Sequence, residues 1–121
     1  MDFETLTGWA EEELTALIKV LPADVRDAAN RISVAMEQKP AADGPDEELQ
    51  GDELGLFEGP DATEESQTAE LPRIRLFLTN LWDWVEQDEQ DFRDEVGTTF
   101  LHELGHYLGW DEDEVGERGL E

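Results

Sequence analysis

The stretch His102-Glu103-Leu104-Gly105-His106-Tyr107-Leu108-Gly109 holds both histidines of a 121-residue chain. Back from it, Phe92, Val96, Thr99, Phe100, Leu104 and Leu108 recur at three- and four-residue steps, the period of an amphipathic helix. The spacing predicts a helix from about residue 91 to 108. Asp88, Glu89 and Asp91 favour its start, where the helix dipole is positive, and Gly109 suits a left-handed stop. Four residues on a helix turn through about 400°, so both imidazoles project from one face, one turn apart. That is a two-pronged grip for a tetrahedral ion such as Zn²⁺. Glu103 lies about 100° round from His102. It can reach a water at the ion without being a ligand, take that water's proton and pass it to a leaving amine. The plain alternative is two solvated histidines on a polar face. The apolar stripe, closed off by Gly109, argues instead for a buried and purposeful helix.

A catalytic zinc takes a third protein ligand and keeps one position open for water. The chain has no third histidine and no cysteine, so that ligand must be a carboxylate. Asp111, Glu112, Asp113 and Glu114 follow directly, and Gly109 lets the chain turn back over the ion. In a chain with 33 acids most carboxylates are simply solvated, so the residues alone leave the choice among these four open.

Further upstream, Ile74, Leu76 and Leu78 alternate with Arg73, Arg75 and Phe77, and Ile32, Val34 and Met36 alternate with Arg31, Ser33 and Ala35. Both runs read as strands. Arg73 and Arg75 give the later strand, residues 73–79, a basic polar face, and an extended peptide is expected to add to it beside the metal. Asn80 is placed to cap a helical turn bearing Leu81, Trp84 and Val85. Phe3, Leu6, Ala10, Leu14, Leu17 and Ile18 predict a helix over residues 2–20. Pro22 then opens a second, with Val25, Ala28 and Ala29 on one side. Between Lys39 and Arg73 lie eleven acidic residues and no basic one, together with Pro40, Pro45, Pro60 and Pro72. That composition reads as one long irregular connection. Its exception, Leu54-Gly55-Leu56-Phe57-Glu58-Gly59, is an apolar island expected to pin the loop to the body. A last short helix is expected over residues 111–119. The sum is an α+β chain, read as one domain over residues 1–121 with a long acidic loop at about residues 40–72.

Eight Lys and Arg against 33 Asp and Glu leave a net charge of −25. Such a surface lacks the basic patch by which proteins bind nucleic acid or an anionic membrane face. It suits a basic peptide or a basic protein partner, although solubility or adaptation to high salt explains the same charge. The absence of Cys rules out disulfides, thiolate metal sites and cysteine nucleophiles. No apolar run approaches the roughly 20 residues of a membrane span. Met1-Asp2-Phe3-Glu4 lacks the basic-then-apolar pattern of an export signal, so the expected address is the cytoplasm. Five Phe, four Trp and one Tyr argue that a core forms despite the charge. Trp82, Trp84 and Trp110 are candidates for a substrate groove, although core is the commoner fate of such residues.

Read through to Glu112, the motif His102-Glu103-Leu104-Gly105-His106-Tyr107-Leu108-Gly109-Trp110-Asp111-Glu112 resembles the extended zincin signature H-E-x-x-H-x-x-G-x-x-(H/D/E). More narrowly, the chain resembles the small bacterial minimal zincin family of zincin-like metallopeptidases. The likeness takes in the N-terminal helix, the strands at 32–36 and 73–78, and the island at 54–59. It implies a minimal zincin-like core, with a small mixed sheet packed against the HExxH helix. It implies one Zn²⁺ held by His102 and His106, with Glu103 as general base. It places Glu112 as third ligand; the family often has Asp there, so Asp113 or Asp111 stays an alternative. Met1 and Met36 both precede the motif, so the resemblance implies no supporting methionine turn and little wall for a substrate. Two function classes follow. One is a zinc-dependent metallopeptidase acting on peptide or protein substrates. The other is a non-catalytic, metal-binding acidic interaction protein that keeps the same core.

Overall fold

Asp2 opens the first helix. Its carboxylate accepts the Thr5 N–H at 2.9 Å, satisfying one of the donors that every helix start leaves over. Helix α1 then runs over Phe3–Val20 and buries Leu6, Ala10 and Leu14. Pro22 stands at the cap of α2 (Ala23–Arg31), which buries Val25, Ala28 and Ala29. Among the described residues three strands follow, β1 (Ser33–Glu37), β2 (Gly55–Glu58) and β3 (Arg73–Phe77), and then α3 (Leu78–Trp84) and α4 (Glu89–Tyr107). The computed structural model describes residues 1–40, 51–60 and 72–109. The short helix expected over 111–119 lies outside the described residues. No helix among them is long and apolar enough to cross a membrane.

The sheet has the order β1-β3-β2. β1 runs parallel to β3, with Val34 opposite Ile74 and Met36 opposite Leu76. β2 runs antiparallel to β3, with Gly55 opposite Leu76 and Phe57 opposite Ile74. The apolar island is therefore a strand of the sheet and not merely an anchor for a loop. Because side chains alternate along a strand, Val34, Met36, Ile74, Leu76, Gly55 and Phe57 share one face. That face meets the helices. On the opposite face Arg75 is bonded to Glu37 of β1 and Glu58 of β2, and its guanidinium lies 5.0 Å from the centre of the Phe77 ring.

This arrangement overturns the expectation that residues 73–79 take up a peptide. β3 is the central strand, bonded along both edges, and its arginines are engaged with glutamates of its own neighbours. The edge beside the helix that carries the motif is β2. Asn80 is likewise not a cap. β3 passes straight into α3, so Asn80 sits inside that helix, and its amide donates to the carbonyls of Gly51 and Glu53 at 2.9 and 2.8 Å. It thereby ties down the lead-in to β2.

Helix α4 starts where Asp88 accepts the Asp91 N–H at 2.9 Å. Near that end, Phe92 packs with Trp82 of α3 and Trp9 of α1 at ring separations of 5.8 and 6.0 Å. Near its other end, Tyr107 packs on Phe57 of β2 at 5.9 Å. Between them Val96, Phe100 and Leu104 are fully buried. The motif thus sits on a helix clamped near both ends. Trp82 belongs to this aromatic joint, not to a groove, while Trp84 is 67% exposed. Trp110 lies outside the described residues.

Candidate metal centre

His102 and His106 fall one turn apart on α4, as the four-residue spacing dictates. Their Nε2 atoms are 3.2 Å apart, and the rings stand nearly perpendicular, 4.8 Å between centres. Zinc binds imidazole nitrogen at about 2.0–2.1 Å, so two nitrogens across a tetrahedral angle sit about 3.3 Å from each other. The observed separation fits that requirement. Glu103 completes a group in which one donor atom from each of the three residues lies within 4.8 Å of the others. His102 and Glu103 are half-buried and His106 is exposed, so the group is held from behind and open to solvent in front. Two imidazole nitrogens suit a borderline-soft divalent ion such as zinc, and the neighbouring carboxylate can serve a water at that ion.

The backbone next to the motif supports the same reading. The Leu108 and Gly109 N–H groups close the helix on the carbonyls of Leu104 and His106, each at 3.0 Å. Gly109 then adopts φ +78°, the left-handed conformation that glycine enters without steric cost. α4 thus ends one turn past the first histidine, at a glycine whose backbone favours a change of chain direction. Asp111, Glu112, Asp113 and Glu114 lie outside the described residues.

A cavity of about 320 Å³ opens beside the group, lined by Glu53, Leu54 and Gly55 from the β2 side and by Glu95, Thr98, Thr99, His102 and Glu103 from α4. Glu103 and His102 both line it, and His106 stands one helical turn beyond His102. Sequence reading missed this wall. Half of it was visible in principle, since Glu95, Thr98 and Thr99 stand seven, four and three residues before His102 and so share its face. The β2 half depends on a long-range pairing that no local pattern announces.

A family model described as zincin-like metallopeptidase matches residues 29–120. A search of curated proteins found no match.

Proposed function

The chain belongs to the zincin-like metallopeptidase family, and from that premise we propose that it is a zinc-dependent peptidase whose ion is held by His102 and His106. The observation that carries this is the 3.2 Å approach of the two Nε2 atoms, with the Glu103 carboxylate beside them and an open cavity in front. When bound, zinc supplies a Lewis acid that polarises a carbonyl and makes water a competent nucleophile near neutral pH. The rest falls to the chain. Glu103 lines the cavity beside His102, where it accepts the proton that the attacking water sheds. It then returns that proton to the amine of the broken peptide bond. Glu112 is our choice for the third ligand, with Asp113 and Asp111 as alternatives. Alanine substitution at each, read by zinc affinity, separates them.

The substrate we propose is an extended peptide lying along β2, with basic side chains favoured. Support for that preference comes from Glu53 and Glu95, acidic residues that line the cavity from the β2 side and from α4. The net charge of −25 steers cations toward the whole surface.

Glu103→Gln tests the function. Glutamine fits the same space but accepts no proton, so zinc should stay bound while hydrolysis falls by roughly 10²–10⁴-fold, the usual contribution of a general base. The assay is cleavage of a broad peptide library by zinc-loaded parent and variant, with a chelator control. Equal cleavage by the two would remove Glu103 from the chemistry. Zinc binding without any chelator-sensitive cleavage would favour the non-catalytic, metal-binding reading.

A further inference from the structure

Position 55 of β2 sits directly over α4, and there is no room for a side chain. A Cβ built on Gly55 would fall 2.6 Å from Thr99 Cγ2, 3.3 Å from the Arg75 carbonyl oxygen and 3.5 Å from Glu103 Cγ. The first separation lies far inside van der Waals contact, and the walls do not yield readily. Thr99 is buried, β-branched and within a helix, so its χ1 angle is restricted. The Arg75 carbonyl belongs to the central strand, which is bonded on both edges. The third wall is the stem of Glu103 itself. Gly55 is not among the residues with positive φ, so this glycine is required for space and not for backbone freedom.

We propose that Gly55 is a positioning residue for Glu103. Its bare α-carbon lets β2 lie close enough to α4 to form the wall against which the Glu103 stem is set. This rests on the reading of Glu103 as general base given above. The two histidines do not depend on that wall in the same way. They share one helix, and their mutual spacing is fixed by its turn. A methyl group at position 55 therefore pushes β2 away from Thr99 and loosens Glu103 while leaving the imidazole pair intact. Thr99 Cγ2 is the atom in the way, so Thr99→Ser, which deletes that methyl, restores the approach.

The test uses the full chain as parent, Gly55→Ala, Thr99→Ser and the double variant. The primary reading is the NMR cross-peak between the backbone amide proton of residue 55, which every variant retains, and the γ-protons of Glu103, recorded on protein without added metal. Zinc affinity is measured by competition with a chromophoric chelator. Gly55→Ala is expected to weaken the cross-peak, keep parental zinc affinity, and regain the cross-peak when Thr99→Ser is added. Peptide cleavage, measured alongside, should lose kcat by about 10- to 100-fold with little change in KM, the cost of a misplacement near 1 Å. It should recover in the double variant. A cross-peak of parental intensity in Gly55→Ala, or no recovery in the double variant, would overturn the proposal. Should Gly55→Ala fail to fold alone, the double variant decides. A regained fold and cross-peak uphold the contact, and a double variant equally unfolded refutes it. A parent that cleaves nothing refutes Glu103 as base, while the cross-peaks still decide what Gly55 does.

Discussion

Arg75→Ala removes the cation that joins the two edges of the sheet. Arg75 Nε donates to Glu37 Oε2 at 2.8 Å and Nη2 to Glu37 Oε1 at 2.7 Å, a two-pronged grip on β1. Nη1 donates to Glu58 Oε2 of β2 at 3.1 Å. The Arg75 side chain is 5% exposed, whereas those of Glu37 and Glu58 are 31% and 36% exposed. Leaving a fully buried charge without its partner costs roughly 3–5 kcal/mol. Here both carboxylates keep about a third of their surface in water and regain part of their hydration, so the loss should lie near the bottom of that range, about 3 kcal/mol. In a chain of this size each kcal/mol moves the melting temperature by roughly 3–5 °C, so Tm should fall by about 9–15 °C. Arg73→Ala is the control. It removes a 2.7 Å pair with the same Glu58, but from a side chain 49% exposed, and such a surface pair contributes about 0–1 kcal/mol. Urea and thermal unfolding followed by circular dichroism measure both, with the urea slope expected to hold constant. Equal shifts for the two variants, or a loss under about 1 kcal/mol for Arg75→Ala, would refute the reasoning.

Leu104→Ala, within the motif but fully buried beneath it, should cost about 2–5 kcal/mol in urea unfolding, because the removed atoms leave a cavity. Gln87 holds φ +64° in the turn before α4, a conformation that strains a residue with a Cβ. Gln87→Gly should therefore stabilise the fold by about 0.5–1 kcal/mol, read as a higher urea midpoint. Hydrogen bonds from the Thr5 side chain and backbone hold the Asp2 carboxyl below its ordinary range. A depressed folded-state pKa stabilises above the unfolded value and is lost as pH falls through the folded one. Asp2→Ala should accordingly lower Tm near neutral pH, and the gap to the parent should close in acid.

The helices that carry the site were legible because their signals are local. The stripe from Phe92 to Leu108, the acidic start and Gly109 together placed α4 to within two residues of its observed ends. Four-residue spacing then fixed the histidine pair. Alternation likewise found β1 and β3 and the face on which Ile74 and Leu76 are buried. What local pattern could not give was pairing. β3 has basic residues on one face, as an accessible strand does, yet those arginines are engaged by Glu37 and Glu58, which lie far from it in sequence. The island at 54–59 contains two glycines, which argue against a strand. It pairs because Gly55 must pass close to Thr99 and Phe57 must reach Tyr107, requirements set by α4 and not by its own neighbours. Asn80 misled for a related reason. Its capping chemistry is real, but its amide serves the carbonyls of residues 51 and 53, brought near only by the fold.

Everything proposed for chemistry depends on an ion held between His102 and His106. The direct measurement is zinc stoichiometry by equilibrium binding, compared between the parent and His106→Ala at neutral pH. The parent should bind about one Zn²⁺ per chain, the capacity of one site of this kind. The binding should weaken in acid as the imidazoles take up protons, and His106→Ala should lose it. A parent that binds no zinc, or a His106→Ala variant that binds as much and as tightly as the parent, would contradict the assignment of this site.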